Sequence, residues 1–95
     1  MSMKEAYEKK LQAHLDECAA EIDKLKAKAD KEKANAQIAY YKQIEELKSK
    51  QATLDSKLSE LKESSEDAWE DLKAGAESAW DSLSGALKSA ASRFK

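Results

Sequence analysis

The stretch KESSEDAWEDLKAGAESAWDSLSGALKSAASRF, residues 62–94, decides how this chain folds. AWEDLKAGAES at 68–78 is followed by AWDSLSGALKS at 79–89 and by the partial AASRF, so Trp69 matches Trp80 and Leu72 matches Leu83 at a period of eleven. Eleven residues lie close to three helical turns, so an apolar stripe of that period stays on one side of a nearly straight helix. Trp69, Leu72, Ala76, Trp80, Leu83, Leu87, Ala91 and Phe94 share an arc of roughly 100° on a helical wheel. Upstream, Ser64 or Ser65 is suited to accept hydrogen bonds from the first free amides of a helix. Glu66, Asp67, Glu70 and Asp71 then sit where the helix dipole favours negative charge, with Lys88, Arg93 and Lys95 near the opposite pole. These signals predict a turn at 64–67 and an amphipathic helix over 68–95.

Before the turn, residues 1–63 read as one long coiled-coil helix. Leu11, Leu15, Cys18, Ile22, Leu25, Ala29, Glu32 and Ala36 alternate four- and three-residue steps, the spacing of a coiled-coil seam. Ala29, Glu32 and Ala36 fill it poorly, which makes that stretch the loosest part of the coil. The stripe then advances by four and four again, through Tyr40 to Ile44, and resumes as Leu47, Gln51, Leu54, Leu58 and Leu61. A four-residue insertion of this kind is a stutter, here at 36–44, which unwinds a supercoil locally without breaking the helix. Ile38 and Tyr41 lie off the main stripe, so this segment is expected to touch two partners.

If the chain reverses near Ser65, the last helix folds back antiparallel, placing Leu61 against Trp69, Leu54 against Ala76 and Leu47 against Leu83. Residues 1–35 then overhang the hairpin, and their seam needs other chains to cover it. That overhang is the main reason to expect a homo-oligomer. The alternatives are a three-helix bundle with another turn near Asn35, or a single rod of about 140 Å at 1.5 Å per residue.

Composition supports an all-α class. Charged residues make up 38% of the 95, proline is absent and only Gly75 and Gly85 are glycine, whereas a β-rich fold needs frequent turn residues. The formal net charge of −2 gives no global field favouring nucleic acid or anionic lipid. One cysteine, Cys18, cannot form an internal disulfide. The opening MSMKEAYEKK lacks the apolar core of a signal peptide, and no apolar run is long enough to span a bilayer. The expectation is a cytoplasmic protein, with peripheral membrane contact as an option.

Candidate chemical sites are few. His14 and Cys18 stand at i and i+4, a spacing that can place two metal ligands on one helix face. With no second His or Cys, packing outweighs metal, and no metal or other cofactor is expected. The carboxylates lie on solvated faces or pair with lysines, as in Glu5–Lys9 and Glu46–Lys50. Neither a nucleophile–His–acid set nor a glycine-rich phosphate loop is present, so no enzyme is expected. KLKAKADKEK at 24–33 is locally basic but interrupted by Asp30 and Glu32, so it reads as a solvated face and no nucleic-acid partner is expected. Trp69, Trp80 and Phe94 read first as core residues. The competing reading is an amphipathic helix that inserts at a membrane surface, helped by its Ser, Gly and Ala-rich polar face.

Two stretches also carry a resemblance. LDECAAEIDKLKAKADKEKANAQIAYYKQIEELKSKQ, followed by SSEDAWEDLKAGAESAWDSLSGALKSAASRF, resembles small coiled-coil proteins of cyanobacteria and proteobacteria that are labelled stress-response proteins. The similarity spans nearly the whole chain and is most specific in AWEDLKAGAESAW. It implies helices, a cytoplasmic location and a link to stress, and it brings no catalytic residues; Cys18 stands where that family would place an aromatic. The combined reading is a non-enzymatic, self-associating coiled-coil protein with a structural or protective role. Reversible membrane binding is the alternative, and a partner protein's helix or a membrane surface are further possible contacts. Its helix–helix interface is expected at Leu11, Leu15, Cys18, Ile22, Leu25, Tyr40, Ile44, Leu47, Leu54, Leu58, Leu61, Trp69, Leu72, Trp80, Leu83, Leu87 and Phe94.

Overall fold

A computed structural model of the chain describes residues 2–94. Met1 and Lys95, the outer ends of the expected segments, lie outside them. Three helices account for nearly all of the described residues: α1 (Met3–Asp30), α2 (Ala34–Glu63) and α3 (Trp69–Arg93). The fold is all-α.

Helix α1 starts at an S-x-x-E signature, Ser2 to Glu5. The Glu5 amide donates to Ser2 Oγ at 3.1 Å, satisfying one of the donors that a helix start leaves free. Lys31 and Glu32 close the far end with tight bonds to the carbonyls of Lys28 (3.2 Å) and Ala29 (3.1 Å). The chain then turns through Lys33, whose extended backbone (φ −68°, ψ 155°) opens α2. Here the expected single helix over 1–63 is corrected: it is two helices, and the three-helix alternative with a turn near Asn35 is the architecture. The weak seam positions Ala29, Glu32 and Ala36 hold too little apolar surface to favour a straight rod. Reversing there lets α1 bury its strong stripe on its own chain. The four-and-four advance from Ala36 to Ile44 is the phase of a new helix rather than a stutter in an old one. Two α2 side chains tie the corner, since Gln37 Nε2 donates to the Asp30 carbonyl at 3.2 Å and the Tyr41 hydroxyl donates to the Asp30 carboxylate.

The second reversal falls where the serines placed it. Ser64 Oγ donates back to the Leu61 carbonyl at 2.7 Å. Ser65 gathers the start of α3: its Oγ accepts from the Ala68 amide at 3.1 Å, and its carbonyl accepts from Ala68 and Trp69. Glu70 and Asp71 occupy the first turn of α3 and Arg93 the last, matching the dipole.

The bundle runs up, down and up, 51 Å long and 19 × 18 Å across. Lys4 Nζ reaches the Lys62 carbonyl (3.3 Å), Lys50 Nζ reaches Ser82 Oγ (2.8 Å) and the Tyr40 hydroxyl donates to the Arg93 carbonyl (3.3 Å). Helix α2 is therefore antiparallel to both neighbours, and its levels against α3 match the expected fold-back to within about a turn. Burial along α3 follows seven rather than eleven residues: Trp69, Ala76, Leu83 and Ala90 are buried, while Leu72, Trp80 and Leu87 pack at the flank. Ala91, expected on the stripe, is exposed and Ala90 takes its place. Seven residues fall about 20° short of two turns, whereas eleven overshoot three turns by a similar angle. The partner helices carry seven-residue seams, and those select the shorter period.

Candidate functional site

All seventeen expected interface residues meet in one place, the core of a single chain. Thirteen are buried there, and Tyr40, Leu72, Trp80 and Leu87 pack against it half-buried. Leu15, Ile22 and Leu25 are 6%, 3% and 3% exposed within one copy. The overhang that called for a second chain is therefore absent. Tyr7 joins the core although the seam was started at Leu11; it stands four residues before Leu11 and continues the same stripe, a signal that periodicity alone could have supplied.

His14 and Cys18 do not converge on a ligand. The His14 ring stacks on Trp80, with centroids 3.9 Å apart and planes 13° from parallel, and its Nδ1 is buried without a hydrogen-bond partner. Cys18 is fully buried. Burial, aided by Glu17 and Glu21, pushes its thiol up to about 11, so the reactive thiolate is disfavoured. Among the described residues no group of three His, Cys, Asp or Glu side chains is placed to hold a metal ion.

Aromatic contacts fasten α3 at three levels. Tyr7 meets Trp69 near one end (5.8 Å), His14 meets Trp80 in the middle, and Tyr40 stacks on Phe94 near the other end (4.1 Å). The Tyr7 hydroxyl donates to the Lys73 carbonyl at 3.4 Å, and Lys73 Nζ rides over both the Tyr7 and Trp69 rings, a cation–π arrangement. Burial first, and then the Glu77 carboxylate, raise the Tyr7 hydroxyl to about 12.

The clefts between helices are shallow. One of them, about 340 Å³, is an open groove between α1 and α2 bordered by Gln12, Leu15, Asp16, Ala19, Lys48, Gln51, Ala52 and Asp55. Its one internal polar contact runs from Gln12 to Asp16, 3.1 Å along the same helix. Leu15, Ala19 and Ala52 line it beside these polar groups, and it lies open to solvent, unlike the enclosed pocket of a small-molecule site.

What the bundle leaves uncovered is more informative. Met3 is 74% exposed, Ile38 59% and Tyr41 36%, the large hydrophobic side chains that the fold leaves in solvent. Ile38 and Tyr41 stand off the buried line of α2, as their off-stripe positions predict; Ile38 is mostly in solvent, while Tyr41 is partly covered and bonded through its hydroxyl to Asp30. Hydrogen bonding to Asp30, then desolvation, raises the Tyr41 hydroxyl. No described helix is long and apolar enough to cross a membrane.

The fold thus defines a class, an up–down–up three-helix bundle whose distinctive surface lies at its ends. No family model, curated protein or solved structure matches the chain.

Proposed function

We propose that this chain is a non-enzymatic, self-associating helical protein with a structural or protective role. The carrying observation is the pair Ile38 and Tyr41, held in solvent on a helix whose other large apolar residues are buried or packed on the core. Single exposed apolar residues are ordinary on a protein surface, but this pair, one turn apart on α2, is the apolar surface that an associating copy would cover. The role in stress, the bacterial setting and the cytoplasmic location rest on the resemblance described above. Because α1 is already covered, association through this surface joins folded bundles and does not complete an unfinished coil. Light scattering behind size exclusion tests the reading: the mass should rise with loading concentration, while a single-chain mass at every concentration would contradict it.

One feature supports membrane binding as a second reading. The outward side of α3 presents Ser78, Gly85, Ser89 and Ser92 to solvent among Asp71, Glu77, Asp81 and Lys88, while Gly75 and Ser82 border Lys57 and Lys50 of α2; the small residues are the part that suits a helix lying at a lipid surface. Trp69, Leu83 and Phe94 point into the core, so lipid binding requires α3 to swing out at 64–68. Trp69 is already buried, so a blue shift is a poor reporter. Quenching of tryptophan by brominated phosphatidylcholine is the better test, and absence of quenching removes this reading.

A further inference from the structure

The exposed large apolar residues are not scattered along the rod. Met3 stands where α1 begins, beside the end of α2 and the start of α3, as the Lys4–Lys62 and Tyr7–Trp69 contacts show. Ile38 and Tyr41 stand at the opposite end, where α1 finishes at Asp30 and α3 finishes against Tyr40. Charge divides the same way. The end third formed by residues 22–43 and 85–94 carries eight basic side chains against three acidic, a formal +5. The end third formed by residues 2–11 and 54–77 carries six basic against ten acidic, a formal −4. Helix dipoles account for part of this, favouring lysines near the ends of α1 and α3 and carboxylates near the start of α3. They do not account for an apolar side chain exposed at each end.

We propose that the chain associates head to tail with a second copy of itself, the lysine-rich Ile38–Tyr41 end of one bundle meeting the acidic Met3 end of the next. This rests on the self-association reading and names the surface. The charges are close to equal and opposite, and each end supplies an apolar contact to be covered once the charges meet. Such complementarity raises encounter rates and fixes orientation. A contact between two different ends does not close on itself, so copies add in a line rather than stopping at a dimer. The cross-section of 19 × 18 Å limits each face to about 300 Å², below the area of a stable interface, so the contact is weak and sensitive to salt and concentration.

Sedimentation velocity on the full chain tests this with two end-blocked variants. The first, Lys31→Glu/Lys33→Glu/Ile38→Ser, blocks the basic end; the second, Met3→Ser/Glu66→Lys/Asp67→Lys, blocks the acidic end. All six positions are exposed, and circular dichroism checks that the helices are kept. The wild type should sediment faster as concentration rises at low salt, and its association constant should fall by about tenfold or more at about 0.5 M salt, where screening shortens to a few Å. Each variant alone should remain single, and an equimolar mixture should give a two-chain species and nothing larger, because one intact basic end then meets one intact acidic end. If both variants associate as the wild type does, the head-to-tail contact is wrong and self-association stands by another surface. If the wild type is single at every concentration, both readings fail. If it is single in solution but binds phosphatidylserine-containing vesicles through the basic end, the partner of that end is anionic lipid and the proposal is overturned.

Discussion

Leu54, Leu61 and Leu83 are fully buried at three levels of the one apolar core that the three helices share. Truncating Leu83 to Ala removes apolar surface and leaves a cavity that neighbouring helices close only in part. Denaturant unfolding should show a loss of about 2–5 kcal/mol. Two other buried residues set the response to alkali. The Cys18 thiol is raised from 9.0 to about 11 and the Tyr7 hydroxyl from 10.0 to about 12, in both cases chiefly by burial. The folded chain therefore keeps protons that the unfolded chain has already released. That contribution is fully present below pH 9 and is lost as pH rises from 9 towards 12. Unfolding curves between about pH 8 and about pH 11 should show falling stability, and the Cys18→Ala/Tyr7→Phe double variant should show a shallower fall across the same range. An equal slope in both chains would assign the alkaline loss to other groups.

At the scale of the element, α3 distinguishes two periods that nearly coincide. Ala90 is buried and Ala91 exposed, so a carboxylate is tolerated at one and not at the other. Ala90→Glu should lower the unfolding midpoint by the equivalent of about 1–3 kcal/mol, and Ala91→Glu by no more than about 0.5 kcal/mol. The reverse order would restore the eleven-residue stripe. Much of the bundle is legible in the sequence. The steps from Leu11 to Leu25 and from Leu47 to Leu61 named the core faces, and Ser65 and the carboxylates after it marked the start of α3. The first corner was hidden for a physical reason. Lys31 and Lys33 turn the chain with backbone angles open to any residue, and no described residue has positive φ, so neither glycine nor proline marks the place. The bonds that hold it, from Gln37 and Tyr41 back to Asp30, join residues seven and eleven apart and are visible only once the chain has turned. The choice of Ala90 over Ala91 was hidden likewise, because it belongs to the partners' seams and not to α3. The exposed pair Ile38 and Tyr41 was legible from their positions off the stripe, but their meeting with the basic end was not.

For the whole molecule, the single corner at 31–33 decides everything that follows. With it, the seam of α1 is covered by the same chain, and association becomes a matter for the ends of a finished bundle. Without it, the seam of residues 1–35 is bare and copies must coil together to fold at all. The radius of gyration of 15.3 Å exceeds the roughly 12 Å of a round domain of this length, which leaves two small, distant end faces. The most direct test is the distance between spin labels at positions 9 and 62 in a Cys18→Ala chain, diluted with unlabelled protein so that only intrachain pairs are read. Lys9 and Lys62 border the same surface hollow, and packed helix axes lie about 8–10 Å apart, so a distance of about 20 Å or less is expected. A distance near 80 Å, from 1.5 Å for each of the intervening residues, would mean that residues 1–63 form one continuous helix and would contradict the three-helix bundle.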